Sequence, residues 1–261
     1  MTDMKLLKPL AIALLGLVCA LPALAQPDLS GYWLISFGQI PPVRPATPFE
    51  QTLIDKLPAG TRLLADSGLV EFPPGDFGGL EVSKEYKAKA DTYDVGVQVA
   101  VSSTCKPPSI IYSMQGPFPI EIFQGRDLIV IKMEYFDVVR VIFMNEKTHP
   151  DKWPLSVTGH SIGHWEGDTL VVDTTRIQSS TMLNNGLDHS DNMHLIEHFR
   201  LSPDGKVLAI MQEYEDPAVF KGRAARLIPL NKGKPADHVF PYDCDPSYGN
   251  AIESRDLNKK K

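Results

Sequence analysis

Gly159-His160-Ser161-Ile162-Gly163-His164-Trp165-Glu166-Gly167-Asp168-Thr169-Leu170-Val171-Val172-Asp173-Thr174 is the stretch that decides the fold. His160 to Glu166 and Thr169 to Thr174 each alternate with a period of two and flank Gly167-Asp168, a pair with glycine at the first position of a type II′ hairpin turn. Alternation sends Ser161, Gly163, Trp165, Leu170 and Val172 to one face, and His160, Ile162, His164, Val171 and Asp173 to the other.

The same pattern repeats outward along the chain. Ile120, Ile122 and then Leu128 to Tyr135 flank Gln124-Gly125-Arg126-Asp127, where Gly125 is expected at positive φ, and Val138 to Met144 follows. His194 to Leu201 and Lys206 to Glu215 flank Ser202-Pro203-Asp204-Gly205, and Arg223 to Leu230 supplies a last strand. At the other end, Trp33 to Phe37 reads as the first strand. Residues 38–80 form a Pro-rich arm with a short helical candidate at Pro48 to Leu57, and Ser83 caps a helix within Val82 to Tyr93. About nine strands without long helical crossovers predict an all-β fold, a closed antiparallel β-barrel with a Pro-rich N-terminal arm and one or two short helices. A sandwich is the alternative.

The chain has 261 residues, 43% of them apolar, enough for one sizeable core. Its 26 Lys and Arg against 32 Asp and Glu give a net charge of -6, which argues against a nucleic-acid partner. Lys5 and Lys8 precede an uncharged run from Pro9 to Ala25 ending in Ala23-Leu24-Ala25, the form of a secretory signal. Residues 1–25 are therefore expected to be removed, leaving a periplasmic or secreted protein with no stable membrane insertion; an uncleaved anchor and a lipoprotein acylated at Cys19 are the alternatives. One domain is expected over 26–251, with a flexible basic tail at 252–261. The two remaining cysteines, Cys105 and Cys244, are expected to pair in an oxidising compartment, the alternative being two buried thiols.

Cys105-Lys106-Pro107-Pro108, Pro119-Ile120-Glu121-Ile122, Glu134-Tyr135, His149-Pro150, the long run from Gly159 to Thr174, His189-Ser190-Asp191, His194 with Glu197, and Glu215-Asp216-Pro217 resemble a large family of secreted bacterial proteins that mostly lack an assigned function. The resemblance covers roughly residues 81–244 and implies export, without naming an activity. The chain departs from that pattern at Asn145-Glu146-Lys147, where Asp-Gly-Arg is usual, and at Val141 and His198, where Arg is common. Gly31-Tyr32-Trp33 is also similar to the Gly-x-Trp start of lipocalin barrels, a resemblance that implies an antiparallel lipocalin-like β-barrel.

Chemistry is expected where titratable groups meet the barrel wall. Ile162 should lie opposite Asp173, which puts His160 diagonally within reach of that carboxylate, as a general base or as a structural hydrogen bond. Glu197 interrupts the apolar row Met193, Leu195, Phe199 and Leu201. A carboxylate there must be protonated, used as an acid or base, or paired, with Arg140 the partner at hand. His189, Asp191 and His194 with His160 could make a metal set, but His-x4-His suits a helical turn, and no metal is expected. Arg140, Trp165, Tyr135 and Glu134 are candidate ligand contacts, the facing of the last two being open. Gly159-His160-Ser161-Ile162-Gly163 has the letters of a serine nucleophile elbow but opens a hairpin. The functional expectation is a barrel that takes a small apolar or aromatic molecule in its interior. Glu197 with His160, Asp173, His189 or His194 would perform cofactor-free lyase or isomerase chemistry there. The alternative is a non-catalytic ligand-binding or envelope-interaction protein.

Overall fold

A computed structural model describes residues 26–35, 44–66, 70–93 and 105–245. The proposed leader at 1–25, Ser36 and Phe37 of the first strand, parts of the Pro-rich arm and the tail at 252–261 lie outside them. In chain order the elements are β1 Gly31–Ile35, α1 Pro48–Ile54, β2 Arg62–Leu63, α2 Lys84–Ala90, α3 Ile110–Ser113, β3 Ile120–Gln124, β4 Leu128–Met133, β5 Val139–Phe143, β6 His160–Glu166, β7 Thr169–Thr175, β8 Ser180–Leu183, β9 Leu187–His189, β10 His194–Leu201, β11 Val207–Glu215 and β12 Ala224–Lys232.

Nine strands close into a barrel in the order β1-β3-β4-β5-β6-β7-β10-β11-β12, with β12 returning to β1. Closure leaves no long free edge. Outside it, β2 adds to β12 in parallel, and β8 pairs with β9 as a separate hairpin. Every neighbour pair in the barrel is antiparallel except β5–β6, which run parallel and touch only at Ile142↔Ser161 and Phe143↔Ile162. That seam corrects the expectation of an antiparallel sheet throughout. Residues 144–159 cross over outside the wall to make it, and they matter below.

The central hairpin has its expected register, Ile162 opposite Asp173 and Glu166 opposite Thr169, with Gly167 at φ 63°. The β3–β4 turn differs. Gly125 is absent from the positive-φ residues, and its N–H donates to Leu128 O, so it ends the ladder and leaves Arg126-Asp127 as the loop. Among the described residues there are three short α-helices. Thr47 and Glu50 form a capping box on α1, and Ser83 caps α2. All four residues of α3 are buried. Arg226 inside the barrel donates to Ile111 O, so α3 lies across one end of it. Leu53 of α1 packs on Ala209, Met211, Ala225 and Leu227, covering the outer face of β11 and β12.

The expected hollow interior is instead filled. Trp33, Ile122, Ile131, Phe199, Ile210 and Ile228 from six strands are buried in one cluster, and the Trp33 indole donates to Leu29 O at 2.9 Å. Each such side chain contributes roughly 1.5–3 kcal/mol by leaving water. Cys105 and Cys244 are joined by a disulfide. Among the described residues, no helix is long and apolar enough to cross a membrane.

Candidate active site on the outer wall

The inward and outward faces of the wall carry different chemistry. Inward from β10, Glu197 is fully buried and ion-paired with Arg140, and it also accepts a hydrogen bond from Gln212 Nε2 at 2.9 Å. Arg140 is held further by Ser161 Oγ at 3.1 Å and Thr174 Oγ1 at 2.9 Å. Both are thus engaged with each other in the interior, with Arg140 Nη1 buried beside them and without a hydrogen-bond partner. Glu197 does not sit beside the histidines, because His160, Asp173 and His194 have the opposite parity on their strands and point outward. His189 is elsewhere again, buried at the end of β9, where Ser109 Oγ donates to its Nε2 at 2.7 Å and its Nδ1 donates to Ser190 O at 2.9 Å.

The outward groups do come together, with two residues that sequence reasoning missed. His149 Nδ1 lies 2.8 Å from His160 Nδ1, and His149 Nε2 donates to Asp173 Oδ1 at 3.2 Å. His194 Nε2 donates to the same oxygen at 2.8 Å, and Glu146 Oε2 lies 3.2 Å from His160 Nε2. That last contact is one of proximity. His160 Nε2 is buried and makes no hydrogen bond. His160 therefore reaches Asp173 through His149, where the sequence suggested a direct diagonal contact. The rings of Phe143 and Trp153 enclose His160, with centroids 5.1 Å and 4.4 Å away.

Strand geometry explains the array. His160 and His194 lie on either side of Thr175 across β6–β7–β10, and Asp173 is the next outward residue of β7. Glu146 and His149 arrive on the crossover that follows β5. The chain thus runs Glu146, His160, His149, Asp173, His194. Both carboxylates, together with His149, Ile162, Gly163 and Lys147, line one cleft of about 390 Å³ against the seam.

Electrostatics separates the roles. Burial, with the neighbouring His149, depresses the His160 imidazole below its usual value, against the pull of Glu146. The hydrogen bond from His194 holds the Asp173 carboxyl below the usual carboxylate range, and the same bond raises His194. Among the described residues, no group of three or more His, Cys, Asp or Glu side chains has the arrangement of a metal-ion site. His160, His149, Asp173 and His194 form a hydrogen-bonded set of acids and bases, with Glu146 beside its end.

The remaining candidates are placed apart from it. Trp165 packs against the core at the hairpin end, and Tyr135 stacks on Phe118 at 4.7 Å beside Phe136 and Tyr242. Glu134 accepts from Phe240 N at 2.9 Å, and Asp191 accepts from Ser179 N at 2.6 Å. The signals that could have found the missing pair were His149-Pro150 within the family resemblance and the departure at Asn145-Glu146-Lys147. No protein-family model matches the chain, and no protein of curated function matches it either.

Proposed function

We propose that this chain is an exported member of the secreted bacterial family it resembles, and that it moves a proton within a small carbon acid bound in the outer-wall cleft, an isomerase-type reaction using no organic cofactor. The observation that carries this reading is that Glu146 and Asp173 line one cleft while His160 and His149 link them from behind. Glu146 takes a proton from the substrate at one position and hands it to His160 Nε2. His160 Nδ1 passes a proton to His149 Nδ1, and His149 Nε2 passes one to Asp173 Oδ1. Asp173, held acidic by His194, then gives a proton back at a second position. The substrate ends with one hydrogen relocated and both imidazoles end in the opposite tautomer; a solvent proton taken up at Asp173, passed back along the same links to Glu146 and released from there to water, restores them. Two carboxylates in the walls disfavour an anionic substrate, whereas Ile162 offers an apolar surface, in keeping with a small, weakly polar molecule. The disulfide supports an oxidising compartment.

The test is proton NMR of the protein in deuterated water with a set of β,γ-unsaturated and α-branched ketones. Isomerisation with deuterium uptake is expected, slowed on the order of 10²–10⁴-fold in both Glu146→Gln and Asp173→Asn. Unchanged rates in both folded variants, or no turnover of any compound, would sink the reading. A non-catalytic role is the second reading, favoured by the engagement of Glu197 with Arg140. It predicts that ketones bind the cleft and are returned without deuterium.

A further inference from the structure

A second cavity, of about 480 Å³, shares no lining residue with the outer-wall cleft. Its volume falls within the roughly 300–1,000 Å³ of small-molecule sites. Three segments build it. The chain leaving α2 supplies Tyr93, the chain after Cys105 supplies Lys106 and Pro107, and the β8–β9 hairpin with the residues leading into it supplies Gln178, Thr181 and Asn184. These segments are tied to one another and to the arm. Lys89 on α2 bridges to Asp188 on β9 at 2.7 Å, Ser109 N donates to Ser180 Oγ at 3.1 Å, and Asn185 Nδ2 in the hairpin turn donates to Asp76 O at 2.7 Å.

Those ties leave four lining side chains unengaged. Among the described residues, the Tyr93 hydroxyl, the Gln178 and Asn184 amides and the Thr181 hydroxyl have no side-chain hydrogen bond. All four are neutral, and each both donates and accepts. A wholly apolar ligand would strip water from them without replacing its hydrogen bonds, at roughly 1–3 kcal/mol for each group left unpaired. A bare anion accepts only, so it would leave the two amide carbonyls unmet, and the Lys89 charge is already answered by Asp188. Sugar hydroxyls donate and accept at once, as this lining does, and a sugar ring also carries an apolar C–H face. The Tyr93 ring, Pro107 and Leu183 offer that face a matching surface. Lys106 is exposed and stands outside every ion pair among the described residues, which adds one positive charge at the cavity.

We propose that this cavity is a saccharide-binding site, holding a sugar ring against Tyr93 with its hydroxyls shared among Gln178, Thr181 and Asn184, and that Lys106 selects a sugar bearing a carboxylate. The site is independent of the proton-transfer reading and stands whether or not the outer-wall cleft turns over a ketone.

The test is a nitrogen-15 amide NMR titration of the whole protein with glucose, glucuronate, cellobiose and lactose, with inorganic phosphate and benzoate as controls. The sugars should shift amides near Tyr93, near Lys106 and along 178–188, glucuronate at lower concentration than glucose, and the controls should leave those amides in place. Thr181→Val and Asn184→Ala should each weaken sugar binding about tenfold, the loss of roughly one hydrogen bond, with the rest of the spectrum unchanged. Lys106→Gln should bring glucuronate down to the affinity of glucose and leave glucose unaffected. No shift with any of the four sugars would overturn the proposal, as would sugar shifts that persist undiminished in both hairpin variants. Phosphate or benzoate moving the same amides while the sugars do not would make the cavity an anion or apolar site instead. Equal affinity of the wild type for glucose and glucuronate would remove the role given to Lys106.

Discussion

Arg140 on β5 and Glu197 on β10 form an ion pair across the barrel interior, between strands that are separated in the sheet by β6 and β7. The pair begins a buried polar chain. Gln212 donates to Glu197, Tyr214 Oη donates to Gln212 Oε1 at 2.5 Å, Arg226 donates to Tyr214 Oη at 2.8 Å, and Arg226 pairs with Asp66 at 2.6 Å. Each member engages the next, which is what lets the charges stay away from water, although Arg140 Nη1 is buried without a hydrogen-bond partner.

Removing one partner of the first pair should therefore be costly. Glu197→Ala leaves the Arg140 guanidinium buried and unpaired, and a loss of roughly 3–5 kcal/mol in urea unfolding is expected. Arg140→Met with Glu197→Leu should recover much of it by replacing both charges. Full recovery of stability in the single variant would contradict the pairing. If Glu197→Gln folded normally and lost all turnover, the interior carboxylate and not the outer cleft would hold the chemistry.

Stability should depend on pH in two opposed ways. His194 is raised above its usual 6.5 by Asp173, so its contribution is fully present below 6.5 and is lost as pH rises through its folded value. Asp173→Asn should flatten that alkaline slope. His189 is depressed below 6.5 by burial, so folding is penalised as pH falls from 6.5 toward its folded value. His189→Gln should remove that slope while lowering stability at every pH. Urea midpoints between pH 5 and pH 8 read both. A wild-type profile with neither slope would contradict both assignments.

Much of this was legible because strands write their faces into sequence at a period of two. The register of the Gly167-Asp168 hairpin follows from its turn, and the parity of Arg140 and Glu197 already pairs them. The filling of the lumen was not legible, since composition does not say whether inward side chains meet in the middle. Nor was the site itself. Glu146 and His149 reach His160 through a parallel crossover, a connection without local periodicity, and parity alone cannot bring a loop onto an outer face.

The Cys105–Cys244 disulfide closes a span of 139 residues that includes β3 to β12. Cross-linking so long a loop restricts the unfolded chain by about 4–5 kcal/mol in the loop-entropy account. Cys105→Ser with Cys244→Ser should lower the unfolding free energy by an amount of that order. The outer-wall cleft, far from either cysteine in sequence, should keep its nitrogen-15 histidine signals. Reduction of the wild type should give the same shift, and no loss of stability in either would remove the bridge as a determinant of the fold.

Gly163 links the barrel wall to the cleft. A Cβ there would meet Met144 Sδ at 2.6 Å and Ile142 Cγ2 at 2.8 Å, both on the β5 side of the seam. Met144 is flexible and Ile142 is not, so Gly163→Ala should pry the short parallel pairing apart and cost on the order of 1–3 kcal/mol. Met144 also begins the crossover that carries Glu146 and His149, so the same change should displace both from His160. Gly167→Ala separates the two effects. Its Cβ would meet nothing within 4 Å, so the cost is the φ of 63° alone, about 1–2 kcal/mol. Equal losses of stability in the two variants, with the His149–His160 signals altered only by Gly163→Ala, would tie the site to the seam. Altered signals in both would make the site depend on the hairpin turn instead.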